Sequence, residues 1–213
     1  SDVRVILLTS ALKVFCAGAD MKERTTLTGE PGEHHELNRL AREAFYDLMD
    51  GTKPVIGAIN GPAVGIGITM ILPCDQIVAS TSAKFGSGFI KMGLVPELAS
   101  SRLYVQRLGW GKASDFVLSG RIIGGSEAAQ IGLADRVVEP EQLVDTAVDV
   151  ARSYAANPDL QLRMIKQLLT ENSLETDLSL VQRREIEMLN RCYVSAEHKE
   201  AVAAFREKRP PVF

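Results

Sequence analysis

Cysteine is scarce in this sequence: among 213 residues only Cys16, Cys74 and Cys192 occur, far from one another. An odd, scattered set excludes a disulfide framework and reads as reduced thiols, which points to a cytoplasmic location. Histidine is sparse too. His34 and His35 stand in a polar loop and His198 near the C-terminus. No metal-ligand spacing joins them, so no metal is expected. Excess charge of one sign is missing. A formal net charge of -3 leaves no basic footprint, which excludes nucleic acid as the main partner. No apolar run is long enough to span a bilayer, and no secretory signal pattern opens the sequence. The first residues, "SDVRVILLTS", enter a strand almost at once without an initiator Met, so an N-terminal piece is expected to precede them.

The remaining composition, 46% hydrophobic and 24% charged, suits one globular domain with an appendage. Val3–Thr9, Pro54–Ile59 and Asp75–Ser80 are short and rich in β-branched residues, and they read as buried strands. His35–Met49 carries apolar residues at helical spacing, and Val64–Leu72 reads as a buried helix. Such alternation favours parallel crossovers and an α/β core. Further on the pattern is helical, over Ser100–Leu108, Lys112–Leu118 and Ser126–Ile131, with Ser126 as N-cap and Glu127 in the first turn. The strand "ADRVVE" precedes helices over Glu141–Ala155, Pro158–Leu169, Leu174–Val194 and Ala196–Lys208. No internal repeat appears. The expected division is an α/β core over 1–155 and a helical portion over 156–213.

Glycine is where the sequence is unusual. "INGPAVGIGITMILPCD" (Ile59–Asp75) places Gly65 and Gly67 where an apolar helix starts, although each glycine costs a helix roughly 1 kcal/mol relative to alanine. A dinucleotide fingerprint does not fit, because Met70 holds its third glycine position and no acidic residue follows at the right distance. Two readings stay open. One is close strand–helix packing. The other is an oxyanion site, in which unpaired amides at a helix start face a developing negative charge. A second small-residue turn, Ala17-Gly18-Ala19 before Asp20, follows the first strand and could supply a second amide donor.

With that turn in view, the sequence resembles the crotonase superfamily, the enoyl-CoA hydratase/isomerase family. The matching stretches are "FCAGADMKE", "PVIGAINGPAVGIGITMILPCD", "FGSGFIKMGLVPELASSRL", "LSGRIIGGSEAAQIGLADRVV" and "EAVAAFREKRPPVF". They run in this order through nearly the whole chain. The resemblance implies a crotonase-like core of ββα repeats with a helical C-terminal portion, the usual first strands being absent. It implies an acyl-CoA thioester substrate, CoA arriving with it and no separate cofactor. The thioester carbonyl would sit between the amides of Ala19 and Ile66, with Gly65 and Gly67 letting the backbone approach it. Ile66 stands where the family often has glycine, which a backbone donor tolerates. The resemblance also places the adenine and pantetheine along Ala17, Gly18, Ala19, Asp20 and Met21, with Lys22 near the phosphates. A solvated lysine and a loop-capping aspartate are the plainer readings of Lys22 and Asp20. Trimers, often paired into hexamers, are implied as well, with Gln182–Cys192 near a subunit contact.

The carboxylates choose among the family's reactions. Its hydratases use two glutamates, at positions that are Thr69 and Phe89 here, and neither residue can act as a carboxylate. Glu97, in "GLVPELASS", resembles instead the acidic residue of the family's double-bond isomerases. The plainer reading of Glu97 is a first-turn helix acid. Its neighbours Phe89, Leu94, Val95 and Leu98 would disfavour its charged form if they bury it, as suits a general base. Ser87 in "FGSGF" has no nucleophile-elbow pattern, and Cys16 reads as small buried packing. The expectation is a 3-enoyl-CoA to 2-enoyl-CoA isomerase. The alternatives are a 2-enoyl-CoA hydratase and a catalytically silent acyl-CoA-binding homologue.

Overall fold

A computed structural model describes residues 3–20 and 53–213. The expected helix over His35–Met49, and Met21 and Lys22, lie outside the described residues. In chain order the described strands are β1 (Ile6–Leu8), β2 (Val55–Ile59), β3 (Pro62–Val64), β4 (Gln76–Ser80), β5 (Lys84–Gly86), β6 (Ile122–Gly124) and β7 (Arg136–Val138). The α-helices are α1 (Ile66–Thr69), α2 (Ser100–Leu108), α3 (Trp110–Ser119), α4 (Gly125–Ile131), α5 (Leu143–Ala155), α6 (Asp159–Asn172), α7 (Leu178–Tyr193) and α8 (Ala196–Glu207). Two compact units result. Described residues 7–20 and 55–150 form the larger, and 3–6, 53–54 and 151–213 the smaller. Among the described residues no helix is long and apolar enough to cross a membrane.

One sheet has the order β1-β2-β4-β7, with β2–β4 and β4–β7 parallel. Its register is set by an aspartate used twice. The Asp75 amide donates to the Val55 carbonyl at 2.8 Å while its carboxylate accepts the Val55 amide at 2.6 Å. One strand further on, Asp135 does the same to Ile77, at 2.8 and 2.7 Å. Each aspartate immediately precedes its strand, so it satisfies an end-of-ladder amide that would otherwise be orphaned. Arg107 ties the two clamps together, donating to the Leu72 carbonyl at 2.6 Å and to the Cys74 carbonyl, and pairing with Asp135 at 3.5 Å.

The second sheet, β3-β5-β6, escapes sequence periodicity because each strand has three residues. β3–β5 is parallel and β5–β6 antiparallel. The expected helix over Val64–Leu72 shrinks to α1 because Val64 belongs to this sheet, its amide donating to the Cys16 carbonyl at 2.9 Å. The core between the elements is apolar, with Ile59, Ile68, Ile71, Ile77, Phe85, Phe116 and Ile123 all withdrawn from solvent.

Helix ends differ from expectation in two places. Ser126 does not cap α4. Gly124 does, and the helix opens on Gly125, because any side chain at 125 would put its Cβ 2.1 Å from the Ser80 carbonyl oxygen. Glu127 is in the first turn as expected, paired with Arg121. α7 starts at Leu178 rather than Leu174, since the Asp177 carboxylate caps it by accepting the amides of Ser179 and Leu180 at 2.9 and 3.3 Å. In the same unit the Ser195 hydroxyl caps α8, and the buried Lys166 donates to the Lys53 carbonyl at 2.8 Å.

The glycine at 67 is a packing requirement, and this is directly testable. A Cβ there would lie 2.2 Å from the Cys16 carbonyl oxygen, a backbone atom that cannot step aside. Gly67→Ala should therefore lower stability by at least the roughly 1–3 kcal/mol typical of overpacking. Gly111, in α3, has nothing within 4 Å of its would-be Cβ. Gly111→Ala should leave stability unchanged or raise it by up to about 1 kcal/mol. Guanidinium unfolding of the two variants and wild type makes the comparison.

Candidate active site

The two small-residue turns meet through one hydrogen-bonded step. The Cys16 amide donates to the Pro62 carbonyl at 3.0 Å, and the Val64 amide donates back to Cys16 at 2.9 Å. This makes a parallel bridge between Cys16 and Ala63. Counting forward from the bridge, the two chains stay in step. Two residues on stand Gly18 and Gly65, with φ of +102° and +59°. Glycine is needed at both, since L side chains rarely adopt such a backbone. They are adjacent in space: a Cβ on Gly65 would lie 3.8 Å from the Gly18 Cα, and one on Gly18 would lie 3.2 Å from the Val64 carbonyl oxygen. Three residues on from the bridge stand Ala19 and Ile66, matched in the same register.

Ile66 is the first residue of α1. The first helical hydrogen bonds are made by the amides of Ile68 and Thr69, which both donate to the Gly65 carbonyl at 3.2 Å. The Ile66 amide has no acceptor among the described residues, as expected for the first turn of a helix. The Ala19 amide likewise has none among the described residues. Ala17, Ala19 and Asp20 are exposed and Gly18 and Ile66 half-buried. The turns are thus at least partly exposed to solvent. Gly67 is different from Gly65. It is buried, and its missing side chain makes room for Cys16 rather than for a ligand.

Three further positions frame the chemistry. Thr69 is fully buried, and its hydroxyl donates back to the Ile66 carbonyl at 3.3 Å. Phe89 is buried at the start of a 3-10 turn, Phe89–Met92, that follows Gly88 in a left-handed conformation. Glu97 is half-buried in the segment that leads into α2. Of the four apolar neighbours expected to bury it, Leu94 and Val95 are exposed, at 45% and 81%, because the stretch after Gly93 is irregular and runs along the surface. Phe89 and Leu98 are withdrawn from solvent or packed on the core. Glu97 is also not a first-turn acid of α2, whose first residue is Ser100.

Sequence reasoning missed the backbone immediately after Glu97. Leu98 and Ala99 both have φ of +53°, consecutive left-handed residues without a glycine. Each costs roughly 1–2 kcal/mol relative to the right-handed form, and such strain concentrates at functional positions. The turn is held by the Ser100 amide donating to the Glu97 carbonyl at 3.0 Å, and by the Arg102 and Leu103 amides on the Ala99 carbonyl.

Comparison with known proteins agrees with this architecture. The sequence profile described as "Enoyl-CoA hydratase/isomerase" matches residues 1–213. A short-chain-enoyl-CoA hydratase of Clostridium acetobutylicum is 32% identical over 213 residues, covering 98% of this chain and 79% of its own length. A 1,2-epoxyphenylacetyl-CoA isomerase of Escherichia coli is 36% identical over 219 residues, covering 99% and 81%. The crystal structure of an enoyl-CoA hydratase from Bacillus anthracis superposes with a TM-score of 0.92 at 30% identity, over 99% of this chain and 81% of that one. The chain belongs to the enoyl-CoA hydratase/isomerase family, the crotonase superfamily, and has its fold. It is an acyl-CoA enzyme of that family.

The strained turn gives a prediction independent of catalysis. Ala99 is exposed, so Ala99→Gly loses little packing while removing the left-handed penalty. After the entropy glycine costs in the unfolded chain, a net gain of about 0.5–1 kcal/mol is expected, read as a rise in the unfolding midpoint. An unchanged or lower midpoint would show the turn to be unstrained.

Proposed function

We propose that this enzyme moves the double bond of a 3-enoyl-CoA to the 2 position. The observation that carries the reading is the exchange at three positions. Thr69 and Phe89 are buried and carry no carboxylate where the family's hydratases have theirs, while Glu97 supplies one in a turn held under strain. The carboxylate of Glu97 takes a proton from C2, the electron pair shifts onto the thioester oxygen, and the resulting dienolate is reprotonated at C4 by the same group. Its oxygen is held by the amides of Ala19 and Ile66, a pairing that the Cys16–Ala63 register supports. The step moves one proton and no net electrons, so it calls for neither metal nor redox cofactor. The CoA part of the substrate lies along Ala17, Gly18, Asp20, Met21 and Lys22, and Gly65 keeps the floor of the oxyanion site low.

A relative named as an isomerase, at 36% identity, is compatible with this reading. A relative named as a hydratase, at 32%, keeps hydration as the second reading. That reaction would need Glu97 to activate a water alone. The family's trimer is proposed here too. In the helical unit Leu178, Ile186, Leu189, Tyr193 and Phe205 are exposed, apolar surface that subunit contact around Gln182–Cys192 would cover. The three free cysteines suit a reducing, cytoplasmic setting.

The experiments separate these statements. Glu97→Gln keeps shape but cannot accept the C2 proton, so isomerisation of 3-enoyl-CoA should fall by about a hundred- to ten-thousand-fold, with binding of a saturated acyl-CoA little changed. Wild type should prefer 3-enoyl over 2-enoyl thioesters. Efficient hydration of crotonyl-CoA together with an unimpaired Glu97→Gln isomerase would overturn the assignment. Ile66→Gly should retain much activity because the amide survives, whereas Ala19→Pro removes a donor and should cost roughly a hundred- to a thousand-fold. Light scattering should give a trimer or its multiple, and a stable, active monomer at micromolar concentration would reject assembly.

A further inference from the structure

Three hydroxyls in the larger unit, those of Ser87, Ser100 and Tyr104, are fully buried without a hydrogen-bond partner among the described residues. Equally buried hydroxyls nearby are satisfied: Thr69 bonds the Ile66 carbonyl, and Ser80 bonds Ser82 at 2.7 Å. Leaving a buried hydroxyl unmet costs roughly 1–3 kcal/mol, and native proteins seldom do so three times in one place.

Two of them share a helix face, and the third neighbours one of those two. Ser100 and Tyr104 are four residues apart on α2, so they share a face. The Ser87 hydroxyl lies close enough to Tyr104 to oppose the upward push that burial gives the phenol, though the two do not meet hydrogen-bond geometry. The Tyr104 ring is fixed from its other side by Phe116, edge-on at 5.8 Å. Each serine is attached to a segment that matters. The Ser87 carbonyl accepts the Phe89 amide at 2.8 Å, and the Ser100 amide donates to the Glu97 carbonyl at 3.0 Å.

We propose that Ser87, Ser100 and Tyr104 enclose one ordered water, which pins the strained Glu97–Ala99 turn to the end of β5 and makes the three hydroxyls positioning residues for Glu97. Each hydroxyl can donate and accept, and a buried water commonly makes about three hydrogen bonds, so one molecule satisfies the set. The water site stands on burial and chemistry alone. Its effect on turnover rests on the proton-shuttle reading of Glu97.

Tyr104→Phe tests both parts. Removing a hydroxyl that truly has no partner should leave the melting temperature unchanged or raised. Removing one that holds a water should lower it by roughly 2–4 °C or more. If the water positions Glu97, kcat for 3-enoyl-CoA isomerisation falls about ten- to a hundredfold while KM holds, because only the reacting geometry is lost. Ser87→Ala is the second variant should Tyr104→Phe not fold, with the same expected shifts. The Ser87→Ala, Tyr104→Phe double variant should lose little more than either single one, since both empty the same site. A crystal structure of the wild type should show density within hydrogen-bond distance of all three oxygens. An unchanged melting temperature, or no density there, overturns the water site. A lowered melting temperature with unchanged kcat, in an enzyme that Glu97→Gln disables, overturns the positioning role. If Glu97→Gln leaves isomerisation intact, the proton-shuttle reading fails and the positioning role with it. Melting temperature and density still decide the water site.

Discussion

The parallel bridge between Cys16 and Ala63 is the constraint on which the candidate site depends. Two hydrogen bonds, at 3.0 and 2.9 Å, bring together chain segments almost fifty residues apart. The distance between them is set by an absent side chain, since a Cβ on Gly67 would strike the Cys16 carbonyl. Everything downstream is counting. Positive-φ glycines follow at the second residue on each side, and the two candidate oxyanion amides at the third. Shift the bridge by one residue and Ala19 would face a different partner. Beside the bridge the two glycines have different structural reasons. Packing accounts for Gly67, whereas the backbone angle accounts for Gly65.

A helix as short as α1 would not form alone, because nucleation fixes several residues for one hydrogen bond. Burial of Ile68 and Thr69, with the Gly65 carbonyl accepting two amides, holds it in place. That shortness is useful. A first-turn amide needs a helix behind it only long enough to orient it. The same frame places position 69 one turn along, where the threonine hydroxyl is used up on its own helix. The proposed proton shuttle therefore rests on Glu97, which is half-buried.

Legibility in the sequence followed length. α2, over Ser100–Leu108, and α5 to α8 carry enough turns for a 3.6-residue period to show, and their bounds came within a few residues. The three-residue strands of the second sheet carry less than two periods of alternation. For that reason Pro62 and Ala63 read as part of the glycine turn and Val64 as the start of a helix. Ala19 and Ile66 are candidates through resemblance, and the structure adds the register that matches their positions. The turn after Glu97 had no signal at all. Leucine and alanine have no preference for left-handed backbone, so Leu98 and Ala99 are strained by packing that only the tertiary fold reveals. The buried hydroxyls were equally silent. Serine at 87 and at 100 carries no sequence signal of burial, yet both are fully withdrawn from solvent.

The family's spread of activities follows from how the labour is divided. In the proposed mechanism backbone amides hold the thioester oxygen, and a backbone donor is indifferent to its side chain, so Ile66 would serve where the family often has glycine. On the same proposal, acid–base work falls to positions on separate segments: α1 at Thr69, the 3-10 turn at Phe89, and the approach to α2 at Glu97. Relatives named as hydratase and as isomerase accordingly share 32% and 36% identity with this chain. On this proposal the choice between the two reactions rests on three positions, which overall likeness averages away. Those positions, read as chemistry, favour a single proton shuttle over the paired carboxylates that hydration uses.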